Sequence, residues 1–140
     1  MSGTLTLVVR RVVRATPARL FAMWTTPDEL VRWFGPRGAR CTEADVDLRV
    51  GGAYRLVNAL PDGRVVTIRG TFDVVDPPRA LAYSWSLAEG APAERVVVRF
   101  EVHAEGTEVV VTHEKIADTT ARDGHADGWE ACLDGLAREA

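Results

Sequence analysis

The side chains that most often carry covalent or metal chemistry are scarce in this 140-residue chain, which has two cysteines, three histidines and three serines. Cys41 and Cys132 lie far apart, and neither belongs to a CxxC pair or a Cys/His ligand spacing. That excludes a disulfide scaffold and a structural zinc site, and makes a reducing cytoplasm the expected compartment. Ser2, Ser84 and Ser86 sit outside any GxSxG setting, and neither cysteine has a neighbouring histidine, so nucleophilic catalysis lacks support. Metal binding would need His103, His113 and His125 to converge from distant positions; no metal and no cofactor is expected. Apolar runs are only a few residues long, too short for a membrane span. The opening MSGTLTLVVRR reads as a strand, not as the charged segment and apolar stretch of a secretory signal. Lysine is nearly missing, with Lys115 the one lysine among 17 cationic residues, and no compact basic cluster is interleaved with aromatics. Nucleic-acid binding is therefore not expected. Gly51-Gly52 lacks the longer glycine pattern and the lysine of a phosphate loop, which leaves a hairpin turn.

What is present suits one domain spanning residues 1–140, long enough to bury roughly 70% of its unfolded surface around a single core. Residues 1–70 hold 11 Lys+Arg against 6 acids and residues 71–140 hold 6 against 14, which points to two halves that complement each other within one fold. Residues 4–13 are β-branched and predict an opening strand. Thr16-Pro17 and Thr26-Pro27 each set an N-cap hydroxyl before a proline at the first helical position, and Glu29 completes a capping box with Thr26. Two short helices are expected near 17–24 and 27–33.

Strands are then predicted at about 40–49, 52–58, 64–75, 80–87, 95–104 and 107–115. They are separated by Gly51-Gly52, Pro61-Asp62-Gly63, Asp76-Pro77-Pro78, Glu89-Gly90-Ala91-Pro92 and Glu105-Gly106. Such short connections imply an antiparallel meander. Leu81, Tyr83 and Trp85 share one face, as do Val96, Val98, Phe100 and Val102, and Val109, Val111 and His113. The cover for that face is an amphipathic helix near 120–139. At 100° per residue, His125, Trp129, Leu133 and Leu136 fall on one side and Asp123, Asp127, Glu130 and Asp134 on the other. Ala121, Gly124, Gly128, Cys132 and Gly135 run along the flank of the apolar side. Glycines there serve either close backbone approach to the sheet or a void between helix and sheet that a ligand fills.

The order strand, two short helices, six strands and long final helix resembles the helix-grip fold of the birch-pollen-allergen (Bet v 1-like) and START-related superfamily. More specifically, Trp24-Thr25-Thr26-Pro27-Asp28-Glu29-Leu30 with Trp33-Phe34-Gly35-Pro36, Asp47-Leu48-Arg49-Val50-Gly51-Gly52, Pro61-Asp62-Gly63, Gly70 with Val75-Asp76-Pro77-Pro78, Gly106-Thr107 through Thr112-His113-Glu114, and Gly128-Trp129 with Leu133 and Leu136 resemble the bacterial family named after the activator of the heat-shock protein 90 ATPase. The resemblance implies an α+β fold, with a curved seven-stranded antiparallel sheet wrapped around the final helix. Val50 departs from it, standing where the family's Asp-Leu-Arg motif often continues with proline.

Trp24, Trp33, Trp85 and Trp129 fall on both short helices, one strand and the closing helix. With Phe34, Tyr54, Tyr83, Phe100 and Leu133 they either pack the core or line an apolar pocket for a small aromatic or lipidic molecule. His113 and His125 are either hydrogen-bonded core groups or pocket groups that move a proton. Asp47 and Arg49 share a strand face, where an ion pair between them is expected. The leading expectation is a binding protein for a small hydrophobic or aromatic ligand. The alternatives are an interaction module acting on an ATP-dependent chaperone, as the resemblance implies, and a cyclase- or hydrolase-type enzyme using His113 or His125.

Overall fold

The structure is a computed structural model describing residues 3–36, 38–87 and 91–140. A run rich in leucine and β-branched residues, LTLVVRRVV, forms β1 (Leu5–Val13), whose inward residues Val9 and Val13 are buried. Thr16 then caps α1 (Pro17–Thr25) by accepting from the Arg19 amide at 3.1 Å, with Pro17 in the first turn. The capping box at α2 (Pro27–Trp33) does not form. The Thr26 side chain makes no capping bond, and the Glu29 carboxylate turns to the Arg19 guanidinium at 2.7 Å, a stronger charge-assisted partner than a lone amide.

The sheet comprises β2 (Arg40–Val46), β3 (Ala53–Ala59), β4 (Val65–Asp76), β5 (Ala80–Trp85), β6 (Glu94–His103) and β7 (Gly106–Ile116) with β1, all antiparallel, in the order β1-β7-β6-β5-β4-β3-β2. The long helix α3 (Thr119–Glu139) follows, capped by the Asp118 carboxylate on the Ala121 amide at 2.8 Å. Its buried residues Trp129, Leu133 and Leu136 meet the inward residues Leu81, Tyr83, Val96, Val98, Val109 and Val111 in one core. This is the α+β helix-grip arrangement, with two short helices after the first strand.

Three details depart from the sequence pattern. Val102 continues the period of Val96, Val98 and Phe100 but is 86% exposed, since it pairs with Thr107 beside the closing hairpin, past the layer that covers Phe100. Asp47 and Arg49 lie beyond β2, in the turn that closes on Gly52, and form an exposed ion pair at 2.9 Å rather than sharing a strand face. In β7 the register against β1 slips by one residue between His113 and Ile116, where Lys115 adopts a left-handed φ of 65°. The bulge reverses the side-chain parity, so Ile116 is fully buried although it is out of phase with Val111 and His113. The turn expected at Glu89-Gly90-Ala91-Pro92 falls partly outside the described residues.

Candidate functional site

The three glycines of α3 do different jobs. A Cβ at Gly135 would lie 2.4 Å from the Trp33 carbonyl oxygen, so here the helix backbone seats directly on the end of α2. One turn or more towards the amino end the contact opens. A Cβ at Gly128 would touch only the Pro36 ring, at 3.5 Å, and one at Gly124 would meet nothing within 4 Å. Both readings of the small-residue flank therefore apply, close approach at Gly135 and a void at Gly124 and Gly128.

The void is a pocket of about 200 Å³ between the amino-terminal half of α3 and the far end of the sheet, open to solvent on one side. The sheet wall is Asn58 from the end of β3 with Leu60 just beyond it, Val66 and Ile68 from β4, and Trp85 with Leu87. Phe34 and Pro36 close it from the segment after α2, and Gly124, His125, Gly128, Trp129 and Cys132 form the helix wall. An apolar cavity of roughly 150 Å³ suffices for benzene, so the volume suits a one-ring molecule.

Four of the eleven residues singled out from sequence, Phe34, Trp85, His125 and Trp129, line this pocket. The others lie elsewhere. Trp24, Tyr54 and Tyr83 surround a separate void of only about 20 Å³. Their polar atoms are satisfied within the protein, Trp24 Nε1 donating to Tyr83 Oη at 3.2 Å and Tyr54 Oη to the Ser84 carbonyl at 2.7 Å. Burial pushes both phenols up, beyond any role as a base. Trp33 donates to the Met23 carbonyl at 2.8 Å and packs at a tilt against Trp24, Phe100 packs edge-on against Phe21 and Trp24, and Leu133 is buried among them.

His113 lies behind the pocket wall and is fully buried. Trp129 Nε1 donates to its Nδ1 at 3.0 Å, and its Nε2 is 2.7 Å from Glu94 Oε1. Because an indole N–H only donates, Nδ1 carries the lone pair and the proton sits on Nε2, directed at the carboxylate. His125 Nε2 approaches the same Glu94 oxygen at 3.0 Å, and the two imidazoles stack with centroids 4.6 Å apart while Trp85 abuts both edge-on. Sequence spacing gave no hint of Glu94, which β6 pairing and the packing of α3 bring to both rings. Burial pushes the His113 pKa down to about 4, outweighing the opposing pull of the Glu94 hydrogen bond.

Glu94, His113 and His125 place three ligand atoms within 4.8 Å of one another, a spacing that would suit a cation. The donor set does not fit one. A histidine that ligates through Nε2 needs its proton on Nδ1, and here that atom faces the Trp129 N–H. The cluster is a hydrogen-bonded support that orients Trp129 and His125 at the pocket. Cys132, the pocket's thiol, is pushed up to about 12 by burial and Cys41 is raised for the same reason, so neither is a ready nucleophile.

Geometry of this kind defines a helix-grip protein with a small apolar pocket under its closing helix. The family model of "Activator of Hsp90 ATPase homolog 1-like protein" matches residues 14–140, and the chain belongs to that family. It is similar to a crystal structure of a protein from Chromobacterium violaceum, with 25% identity, a TM-score of 0.86 and 95% of each chain covered. A Rhizobium leguminosarum protein is 29% identical at a TM-score of 0.80, covering 99% of this chain and 95% of that one. An Aeromonas hydrophila AHSA1-like protein, solved in solution, is 27% identical at 0.78, covering 96% and 91%. No curated protein matches the chain. Among the described residues no helix is long and apolar enough to cross a membrane.

Proposed function

We propose that this chain, a single helix-grip domain working in the cytoplasm, binds a small hydrophobic or aromatic molecule between the sheet and α3. The observation that carries the reading is the solvent-connected pocket of about 200 Å³, whose helix wall is glycine where large side chains would have closed it. Leaving such a surface empty forgoes contacts that a ring compound would supply. Toluene is the test probe. It is expected to bind at one equivalent with a change in the fluorescence of Trp85 and Trp129. Gly128→Leu, which puts a branched side chain into the void, is expected to abolish that binding while leaving the denaturation midpoint unchanged or higher. Toluene binding equally well to both proteins would refute the pocket as its site. If no hydrophobic probe shifts the melting temperature and the protein instead raises the turnover of an Hsp90-type ATPase, the interaction reading that the family description supports takes its place.

A further inference from the structure

One polar side chain in the pocket wall has no evident reason to be polar. Tyr54, Leu56 and Asn58 share the inward face of β3, and Asn58 is 1% exposed. Its Nδ2 faces the Leu56 and Val66 carbonyls at 3.4 and 3.5 Å. Carbonyl oxygens only accept, which fixes the orientation of the amide and leaves Oδ1 as the other end. That oxygen is buried and finds no hydrogen-bond partner among the described residues. A buried, unpaired acceptor is costly, and a leucine of nearly the same shape would avoid the cost. Asn58 lines the apolar pocket from the sheet side, so a donor can be supplied by whatever enters. On the opposite wall the N–H of His125 is already engaged by Glu94, and the other ring nitrogen can only accept, so His125 does not supply the donor that Oδ1 lacks.

Resting on the pocket reading above, we propose that the ligand is a compact neutral ring compound bearing a hydrogen-bond donor, of the phenol or small cyclic alcohol class, whose O–H is accepted by Asn58 Oδ1. The ring occupies the apolar volume beside Trp85 and Trp129, and the hydroxyl satisfies the buried wall oxygen that lacks a partner among the described residues. A charged headgroup is disfavoured because it would have to shed its water in an apolar setting. Selectivity follows from the same asymmetry: a site built around an acceptor rejects an analogue that cannot donate, because the acceptor is then left unpaired.

Phenol and toluene differ by a hydroxyl in place of a methyl and are the matched probes. In calorimetric titrations of the full chain, phenol is expected to bind at least as tightly as toluene, although an unassisted apolar cavity would favour toluene. Asn58→Leu is expected to keep toluene binding and to lower the phenol-to-toluene affinity ratio at least about tenfold, a change that a merely structural role for Asn58 would not produce. Toluene binding well while phenol binds poorly to the wild type overturns the assignment of the donor but leaves the pocket reading standing. An identical ratio in wild type and variant, as when Oδ1 is served by water alone, overturns it too. Failure of both probes to bind overturns the pocket reading itself. The wild-type comparison decides even if the variant does not fold.

Discussion

Gly135→Ala is expected to destabilise the protein by about 3 kcal/mol or more, while the same change at Gly124 or Gly128 is expected to stabilise it by up to about 1 kcal/mol. The difference comes from what each new methyl group would meet. At Gly135 it would sit 2.4 Å from the Trp33 carbonyl oxygen, well inside contact distance and against backbone rather than a movable side-chain tip. Trp33 cannot retreat cheaply. Its indole is tied to the Met23 carbonyl, its ring packs against Trp24 and Phe34, and it is 4% exposed. Relief would require α3 to lift from α2, which would strip Leu136 and Leu133 of cover. At Gly124 and Gly128 the methyl enters open space or ordinary contact, and the gain is the reduced backbone entropy of the unfolded chain. Denaturant midpoints of the three variants, measured side by side, check this. A Gly135→Ala midpoint at or above that of the wild type would mean that α3 is not seated on the Trp33 carbonyl.

These glycines also show how far a sequence can be read. Their spacing along α3 was visible, and so were both possible uses, but choosing between close approach and void at each position requires knowing how α2 sits under the helix. The inward face of β7 was legible through His113 because strict period-2 alternation needs no tertiary information. Ile116 was not legible, since the bulge at Lys115 changes the parity without a glycine to mark it. The aromatic residues illustrate a deeper limit. A tryptophan satisfies a core and a pocket equally well in sequence, and Trp24 and Trp33 went to the core while Trp85 and Trp129 reached the cavity. Asn58 did leave a signal, as a carboxamide in phase with Tyr54 and Leu56 on a strand face that is otherwise buried. Glu94 left none, because an acid beside a presumed turn looks like any solvated carboxylate until two histidines from β7 and α3 are folded onto it.

The wild-type protein is expected to lose stability as pH falls from about 6.5 towards 4, by roughly 3 kcal/mol across the window attributable to His113. In the unfolded chain this imidazole titrates at its ordinary value of 6.5, whereas in the folded protein burial holds it down to about 4. Between those values the unfolded state takes up a proton that the folded state refuses. The stability is thus fully present above the unfolded value and is lost as pH falls through the folded one. The groups around the ring explain the refusal. Trp129 from α3 donates to Nδ1, so a second proton would have to break that bond and confront an N–H with an N–H. His125, stacked on it, adds repulsion when charged, and Trp85 from β5 contributes an apolar edge. Glu94 from β6 works the other way through its hydrogen bond but does not overcome burial. Other acid-sensitive contacts act lower on the scale. Arg19 holds the Glu29 carboxyl below its usual value of 4.5, and the Arg64 amide and guanidinium hold Asp62 below 3.8. His113→Gln removes the titration while keeping groups that can bond to Trp129 or Glu94. It should be less stable than the wild type near neutral pH, and the gap should shrink steadily as the buffer is taken towards pH about 4.5, because only the wild type suffers the penalty. Denaturant midpoints of both proteins across that range are the measurement. Parallel curves would show that His113 takes up its proton in the folded protein as easily as in the unfolded chain, and that Trp129 does not hold Nδ1 in its unprotonated form.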